Sequence, residues 1–365
     1  MTDEADLTAL LRRRIALEGP ITVAAFMAEA LGHPRFGYYM RQDPLGRSGD
    51  FITAPEISQM FGELVGLWCA NMWQAMGSPS RVRLVELGPG RGTLMADALR
   101  ATRRVPGFHA AVELHLVETS PALRERQRST LSGEDLPPRH WHGSFADVPD
   151  GPMVLVANEF FDALPVHQLQ RGDRHWHERL VDFADGKFRL VVSPHPSPLA
   201  ALLGPRFADA PAGSIAEVCP AALSLAGSIA ARLVEGDGAA LIVDYGPSRS
   251  GPGETLQALR HHAAHEVLAD PGAADLTAHV DFEALARAAV QAGAAAHGPV
   301  PQGVFLARLG IEARMQVLLR GATEAQRQAI VSGGRRLIEP AQMGTLFKAL
   351  ALTHPDLPVP EGFAA

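Results

Sequence analysis

A glycine-rich turn between an apolar strand and a helix constrains this chain more than any other feature. The segment reads VRLVELGPGRGTL over residues 82–94, with glycines at alternate positions, Gly88, Gly90 and Gly92. Glycine lets the backbone bend sharply and approach a ligand more closely than a Cβ atom would allow. The pattern therefore predicts a βα unit of an open α/β sheet, with a nucleotide-like ligand at the turn.

The spacing of the glycines separates two classes of ligand. Dinucleotide-dependent oxidoreductases use G-x-G-x-x-G, in which the third glycine packs the helix against the strand. Here that third position is Thr93, the run is G-x-G-x-G, and Glu86 lies two residues before it. The run resembles motif I of the class I S-adenosylmethionine methyltransferases, whose cationic, phosphate-free donor tolerates a nearby carboxylate. A tight turn with a purely structural role is the alternative for the glycines alone.

A second acid follows the next predicted strand. Residues 112–118 alternate like a strand and end in Glu118, shortly before Ser120. Ligands of open α/β sheets lie outside the carboxyl ends of the strands, where a carboxylate can accept both hydroxyl hydrogens of a ribose. We expect Glu118 to bind the ribose and Ser120 to support it. A solvated glutamate at a strand end is the alternative.

Length and hydrophobic pattern narrow the class of protein. The 365 residues exceed a usual single-core domain, so we expect one α/β domain enlarged by insertions. No apolar run approaches the ~20 residues that a membrane helix needs. The acidic N-terminus lacks the features of signal and transit peptides. These observations predict a cytoplasmic protein without membrane insertion.

Charge and metal-ligand patterns disfavour two further kinds of partner. The net charge is −7, with acids interspersed among the arginines, which argues against a nucleic-acid partner. The cysteines are Cys69 and Cys219, and the histidines at 175–177 and 261–262 lack a complete ligand set. We therefore expect neither a disulfide nor a metal site.

Changes of periodicity predict the organisation of the chain. Helical spacing occurs at 5–17, at 21–31, from about Pro55 onward, at 221–233 and at 281–292. Strand-like stretches occur at 153–157, 239–246, 303–309 and 345–352, with shorter alternating strands at 166–214. We predict four parts: an N-terminal helical region with a lid loop (1–80), a first core part (81–165), an insertion with a connecting helix (166–236) and a second core part (237–365).

Four blocks together resemble the mitochondrial complex I assembly methyltransferase family and its bacterial homologues. They are GDFITAPE (49–56), ELGPGRGTL (86–94), ANEFFDALPV (157–166) and ADLTAHVDF (274–282). The resemblance implies an α/β class I methyltransferase (Rossmann-like) fold, with a seven-stranded sheet whose last two strands form an antiparallel edge. It also implies S-adenosylmethionine as cofactor and protein arginine methylation. In the mitochondrial relatives the acceptor is an arginine of the quinone-site subunit of NADH:quinone oxidoreductase.

The acids after the strand at 153–157 suit methylation of a guanidinium. Methyl transfer is an in-line displacement, so the enzyme mainly aligns nucleophile and methyl group. A guanidinium keeps its charge because its pKa exceeds ~12, and a carboxylate can hold two of its N–H groups and orient the third nitrogen. We expect Glu159 and Asp162 to be the catalytic acids, with Asn158 as a neutral partner. A helix cap is the alternative for Asp162.

The remaining cofactor contacts follow from the same arrangement. We assign the contacts with the methionine and sugar to residues at the end of the apolar strand and in the glycine-rich turn: Glu86, Gly88, Pro89, Gly90 and Gly92. Phe145 is expected to stack on the adenine and Asp147 to hydrogen-bond it. Asp50 and Thr53, in the long N-terminal loop, are expected to close over the ligand as a lid.

Two other functions stay open at this point. A small-molecule or O-methyltransferase uses the same fold, because fold and cofactor do not determine the acceptor. A cofactor-binding assembly chaperone without turnover is the second alternative. The sequence also leaves open the number of methyl groups transferred and the oligomeric state, with a homodimer among the options.

Overall fold

The computed structural model describes residues 6–41 and 53–364, which form two compact units. One unit combines the described part of 1–51 with 162–224 and 249–279. The other combines the described parts of 52–161, 225–248 and 280–365. We call them the insertion unit and the core unit. Among the residues described, no helix is both long and apolar enough to cross a bilayer.

The strands and helices are numbered in chain order. The strands are β1 (Ile21–Thr22), β2 (Val82–Leu87), β3 (Val112–Val117), β4 (Arg139–His142), β5 (Met153–Asn158), β6 (His167–Arg171), β7 (Trp176–Ala184), β8 (Lys187–Pro196), β9 (Ile215–Val218), β10 (Gly238–Tyr245), β11 (Gln257–Arg260), β12 (Ala263–His265), β13 (Asp275–Thr277), β14 (Ala295–Pro301) and β15 (Phe347–Thr353). The α-helices are α1 (Leu7–Glu18), α2 (Val23–Gly32), α3 (Tyr38–Arg41), α4 (Ala54–Ile57), α5 (Gln59–Ala75), α6 (Thr93–Thr102), α7 (Phe108–Ala111), α8 (Pro121–Thr130), α9 (Pro220–Gly236), α10 (Phe282–Gln291), α11 (Gln302–Arg308), α12 (Ile311–Leu319) and α13 (Glu324–Ile338). Short 3-10 turns occupy Phe145–Asp147, Phe161–Ala163, Pro198–Leu202 and Pro205–Phe207, and Pro340–Gly344 forms a π-helical turn.

The core unit is built on a seven-stranded sheet in the order β14-β15-β10-β5-β2-β3-β4. The five strands from β10 to β4 are parallel, whereas β15 runs antiparallel to both β10 and β14. This confirms the predicted seven-stranded sheet with an antiparallel edge. Strands β5 and β10 are almost entirely buried, as expected for central parallel strands covered on both faces. The carboxyl ends of β2, β3, β5 and β10 therefore lie along one edge of the sheet.

The prediction of a strand at 303–309 is wrong, because this stretch lies in helix α11, and the edge strand is β14 before it. A short apolar run does not distinguish a strand from a buried helix. Phe305 and Leu306 are fully buried in the helix, while Val304 is exposed. The strand itself was missed because Gly298 and Pro299 interrupt its pattern, and its pairing with β15 shifts register at that point.

The long helix predicted from Pro55 is two helices, α4 and α5, separated by Ser58. Ser58 has extended backbone angles, and its hydroxyl accepts a hydrogen bond from the amide of Met60. Serine is a preferred N-cap because its side chain satisfies one of the unpaired amides of the first turn. The break therefore has a local cause.

The insertion unit contains a five-stranded antiparallel sheet and a three-stranded one. Strands β1, β7, β6 and β9 follow one another, with β8 on β7, and β11 lies between β12 and β13. Helices α1 and α2 contribute buried residues to its hydrophobic core, among them Leu11, Phe26 and Met27. Residues 249–279 belong to this unit by their contacts, although the sequence pattern grouped them with 237–365. The four-part division of the chain stays a prediction.

Candidate active site

The glycine-rich turn joins the end of β2 to the start of α6 in the core unit. Gly88, Gly90 and Gly92 have φ angles of +60°, +52° and +80°, the left-handed region that side chains resist. The amide of Gly88 donates to the carbonyl of Val117 over 3.0 Å, and that of Gly92 donates to Pro89 over 2.7 Å. These bonds fix the left-handed turn between β2 and α6.

The turn is in close contact with the loop that follows β5. A Cβ atom added at Gly88 would lie 2.7 Å from Cδ2 of Phe160. The ring of Phe160 therefore packs directly on the backbone of the turn, and Gly88 is required sterically as well as conformationally.

Glu118 directly follows β3 and is 8% exposed. One carboxylate oxygen accepts the amide of Ser120 over 2.8 Å, and the other accepts Nε2 of Gln127 over 3.2 Å. The same Nε2 donates to the carbonyl of Gly90 over 2.8 Å, while the side-chain oxygen of Gln127 accepts from Trp141. Burial raises the pKa of Glu118 against the opposing effect of these donors. Gln127 thus connects the expected ribose ligand to the glycine turn.

The link from Ser120 to Glu118 runs through its backbone amide. Its hydroxyl accepts instead from the amide of Leu123, at the start of α8. Ser120 is therefore bonded to Glu118 through its backbone, while its hydroxyl serves as a helix cap.

Glu86 lies in β2, beside Val156 of β5, and is 3% exposed. Its Oε2 atom has no hydrogen-bond partner within the described part of the chain. Burial, and to a smaller extent the nearby Glu118 carboxylate, raises the pKa of Glu86 to about 8. A buried carboxyl group without a partner is costly unless a ligand supplies one.

Asn158 and Glu159 stand at the carboxyl end of β5. Oε1 of Glu159 accepts the amide of Ala54 over 2.8 Å and Nδ2 of Asn158 over 3.2 Å. The backbone of Glu159 has a φ angle of +49°, which is unfavourable for a residue with a side chain, and its amide donates to Val243 over 2.8 Å. Oδ1 of Asn158 is buried with no hydrogen-bond partner among the described residues.

Helix α4 is bonded to the glycine turn as well as to Glu159. Thr53 precedes the helix, and its carbonyl accepts the amides of Glu56 and Ile57. Oε1 of Glu56 accepts the hydroxyl of Thr93 over 2.5 Å, and its Oε2 lies 3.9 Å from Arg91. The end of the predicted lid segment is thus connected to the turn. Asp50, the other predicted lid residue, lies outside the described residues.

Phe145 and Asp147 lie in the short helical turn after β4. The guanidinium of Arg232 lies 4.7 Å from the centre of the Phe145 ring, and one of its nitrogens donates to the carbonyl of Phe145 over 3.1 Å. Oδ2 of Asp147 accepts the amide of Ser144 in a reciprocal cap. One face of the predicted adenine platform is therefore covered by an arginine.

Asp162 belongs to the insertion unit and is 6% exposed. Its carbonyl accepts the amide of Ala278 over 3.0 Å. Nearby, the hydroxyl of Tyr39 donates to Asp275 over 2.8 Å. Burial, with the negative charges of Asp275 and Asp162, raises the pKa of Tyr39 well above its ordinary value.

Three residues that shape this part of the core unit could not be assigned a role from the sequence. No spacing in the sequence marks the bond of Gln127 to Gly90 or the contact of Phe160 with Gly88, because each joins segments that are distant in the chain. Asp244 lies in the strand-like stretch at 239–246, which by itself predicts no partner for it. Its carboxylate accepts backbone amides of the loop after β5.

These features fit S-adenosylmethionine. The left-handed glycine turn lets a ligand approach the backbone more closely than a Cβ atom would allow, and the unpaired oxygens of Glu86 and Asn158 lie on adjacent strands toward the same sheet edge. A donor with a positively charged sulfur and an ammonium group suits two such acceptors. Glu118 at the next strand end suits a ribose. Together with the strand order, these residues define a class I methyltransferase.

Comparisons with known proteins agree with this class. The profile of a family described as "Putative S-adenosyl-L-methionine-dependent methyltransferase" matches residues 64–300. The chain is 42% identical over 373 residues to the mitochondrial protein arginine methyltransferase NDUFAF7 homolog of Drosophila melanogaster, covering 95% of this chain and 84% of that protein. It is 39% identical over 377 residues to human NDUFAF7, covering 96% and 84%. A crystal structure of a Burkholderia thailandensis protein bound to S-adenosyl-homocysteine superposes with a TM-score of 0.85 and 31% identity, covering 98% of this chain and 94% of that one.

The chain belongs to the NDUFAF7 family of S-adenosylmethionine-dependent methyltransferases. The predicted family, enzyme class and cofactor are therefore confirmed. The relatives are named mitochondrial, which does not support the cytoplasmic location predicted here.

Proposed function

We propose that this methyltransferase modifies arginine side chains of a protein, and that the acceptor is the quinone-site subunit of respiratory complex I. Two observations support the proposal. The relatives are named protein arginine methyltransferases. A carboxylate, Glu159, lies at the end of β5 in a strained backbone conformation, on a loop that contacts the glycine turn. Strain of this kind concentrates at functional sites.

Glu159 would bind and orient the acceptor. When bound, S-adenosylmethionine supplies a methyl group on a positively charged sulfur, and its transfer to a guanidino nitrogen leaves S-adenosylhomocysteine and one proton. Glu159 would accept two N–H groups of the guanidinium and draw its positive charge away from the attacking nitrogen. Its negative charge would also offset the repulsion between the two cations.

The hydrogen bonds of Glu159 support this role. Its Oε1 atom accepts the amide of Ala54 and the side chain of Asn158, so the carboxylate is held from two directions. A carboxylate held in this way loses little freedom when it takes a substrate. Asn158 is accordingly proposed as a partner of the acid. Asp162, three residues further along and buried, is proposed as the second acid.

The donor contacts are proposed for the residues that surround the glycine turn. Glu86 and the turn itself would hold the methionine and sugar portions, through Gly88, Pro89, Gly90 and Gly92. Glu118 would accept the ribose hydroxyls, with Ser120 and Gln127 fixing its carboxylate. Phe145 and Asp147 are proposed for the adenine, and Asp50 and Thr53 for the lid. A homodimer is proposed as the assembly.

Transfer to a defined acceptor tests the proposal. The protein is incubated with methyl-labelled S-adenosylmethionine and the purified quinone-site subunit, and peptide mass spectrometry locates the label. We expect it on arginine. Label on a hydroxyl group or on a small molecule would favour the alternative acceptors, and cofactor binding without any transfer would favour an assembly chaperone.

Glu159→Gln tests the catalytic role. Glutamine keeps the size and an acceptor oxygen but loses the charge, so we expect transfer to fall by about 100-fold or more while affinity for S-adenosylhomocysteine stays within a few-fold. Glu113→Gln is the matched control, because Glu113 lies at the opposite end of β3 and pairs with Arg81. Undiminished turnover in Glu159→Gln would remove this residue from the mechanism.

A further inference from the structure

Asp244 is a fully buried carboxylate near the end of β10. One of its oxygens accepts the amide of Phe160 over 3.2 Å and that of Phe161 over 3.0 Å. The other accepts the amide of Tyr245 over 2.9 Å. A side chain of the neighbouring strand thus accepts hydrogen bonds from the backbone of the loop after β5.

These bonds replace the sheet pairing that ends at the same point. The pairing of β5 with β10 ends at Asn158 and Val243, and the amide of Glu159 still donates to the carbonyl of Val243. The next two amides, of Phe160 and Phe161, donate to the Asp244 carboxylate instead, and the bond of Phe161 is buried. A buried amide without a partner costs about 1–3 kcal/mol.

The turn that Asp244 holds is the one in which Glu159 has its unfavourable backbone conformation. A φ angle of +49° persists in a glutamate only where surrounding bonds enforce it. The amides on its carboxyl-terminal side are held by Asp244, and its own amide is held by Val243. The same bonds fix Phe160, whose ring packs on Gly88.

We propose that Asp244 is a positioning residue for methyl transfer, which acts by fixing the backbone of residues 159–161 and thereby the direction of the Glu159 carboxylate. The inference rests on the proposed role of Glu159. Asp244 is fully buried and would act through Glu159 rather than on a reactant. Its effect is expected in the turnover number, since an error of about 1 Å in the placement of a reacting group can cost about 100-fold.

A double-mutant cycle on the full-length protein tests the proposal. Asp244→Asn retains an acceptor for Phe160 and Phe161 but turns an N–H₂ group toward the amide of Tyr245. We expect kcat to fall about tenfold, and further in Asp244→Ala. In a Glu159→Gln background, Asp244→Asn should cost less than about threefold more, because the acid it directs is already absent.

Donor binding should change little, which distinguishes positioning from a general loss of structure. The glycine turn is held by its own bonds, from Gly88 to Val117 and from Gln127 to Gly90. We therefore expect the Kd of S-adenosylhomocysteine and the acceptor KM to stay within about threefold. Glu63→Gln is the matched control: Glu63 is another buried carboxylate of the core unit, bonded to Arg100 and Arg314. It should lower thermal stability and leave kcat unchanged below the unfolding temperature.

The outcomes separate this inference from the proposed function. Fully multiplicative losses in the cycle, or an unchanged kcat in Asp244→Asn, would overturn the inference while leaving the role of Glu159 intact. An unchanged kcat in Glu159→Gln would overturn both. Label on an acceptor other than arginine would overturn only the acceptor, since the cycle can be run with the acceptor that is labelled.

Hydrogen exchange gives a second measurement if the Asp244 variants do not fold. In the wild-type protein, the amides of Phe160 and Phe161 should exchange as slowly as those of β5. Exchange at the rate of an unprotected loop would overturn the inference.

Discussion

Glu86 combines burial, an oxygen without a partner in the described part of the chain, and a pKa of about 8. At pH 7 the carboxyl group is therefore mostly protonated before the donor binds. A ligand that carries positive charge favours the ionised form and lowers this pKa. Donor binding at pH 7 should consequently release up to about one proton. Titration calorimetry in two buffers of different ionisation enthalpy measures it.

The matched variant is Glu86→Gln, in which we expect no buffer-dependent difference in the heat of binding. Glu113→Gln, near the amino-terminal end of β3, should behave like wild type. The pH dependence of the free energy of unfolding gives an independent check on the direction of this pKa shift. Because the folded pKa is raised from 4.5, the contribution of Glu86 to stability is complete below about pH 4.5 and is lost as the pH rises through about 8. Equal heats in both buffers for wild type would contradict the assignment.

The location of single residues could be predicted where they directly follow a strand pattern and so lie at the sheet edge. Glu118 and Glu159 follow apolar stretches, so their location after β3 and β5 followed from the sequence. Gln127 and Asp244 could not be assigned a role in the same way. Gln127 bonds to the carbonyl of Gly90 and Asp244 to the amide of Phe160, 37 and 84 residues away in the sequence, and spacing carries no information about such pairings.

Helices α5 and α6 approach each other closely enough to need glycine at the contact. A Cβ atom added at Gly66 would lie 2.5 Å from Cα of Ala98 and 2.7 Å from its carbonyl oxygen. Backbone atoms cannot move aside as a flexible side chain can, so Gly66→Ala must push α6 away. We expect a loss of about 1–3 kcal/mol in the free energy of unfolding, measured in urea. Donor affinity should weaken too, because α6 begins at the glycine turn.

Gly227→Ala is the matched control, since Gly227 lies in α9 with nothing within 4 Å of an added Cβ atom. Alanine there should stabilise the protein by about 0.5–1 kcal/mol through helix propensity. Donor affinity should not change. A Gly66→Ala protein as stable as wild type would show that the two helices are not in the contact described.

Elements were predictable where one period continued over many residues. Helix α10 and strand β15 were expected at nearly their observed positions. The failures have local physical causes. The Gly298-Pro299 pair interrupts the strand pattern of β14, so this strand was not predicted. The cap at Ser58 divides a continuous apolar pattern into α4 and α5. Strands β11 to β13 were not predicted, because each has at most four residues.

At the scale of the whole molecule, the chain passes between its two units several times. The sequence pattern grouped 249–279 with 237–365, whereas its contacts place it in the insertion unit, because this grouping arises between segments distant in the chain. The seven-stranded sheet of the core unit, by contrast, was expected from the resemblance to the methyltransferase family. The βα alternation itself could be predicted from local patterns, and a small set of topologies satisfies it.

The division into units leads to a prediction about ligand-linked stability. The glycine turn, Glu86, Glu118 and Glu159 all belong to the core unit. A ligand that binds only the folded form stabilises it by about 2.7 kcal/mol at 100 times its Kd. With S-adenosylhomocysteine at that level, amides of β2 and β5 that exchange through unfolding of this unit should exchange about 100-fold more slowly. Amides of β7 should slow equally only if both units unfold together. Hydrogen exchange with mass spectrometry measures the exchange rates of all three strands in one experiment.

Gly88→Ala is the control. Its side chain would be strained at φ +60° and would collide with Phe160, so S-adenosylhomocysteine should slow the exchange of its β2 amides much less. A wild-type protein whose β2 and β5 amides are not slowed would contradict the location of the donor site.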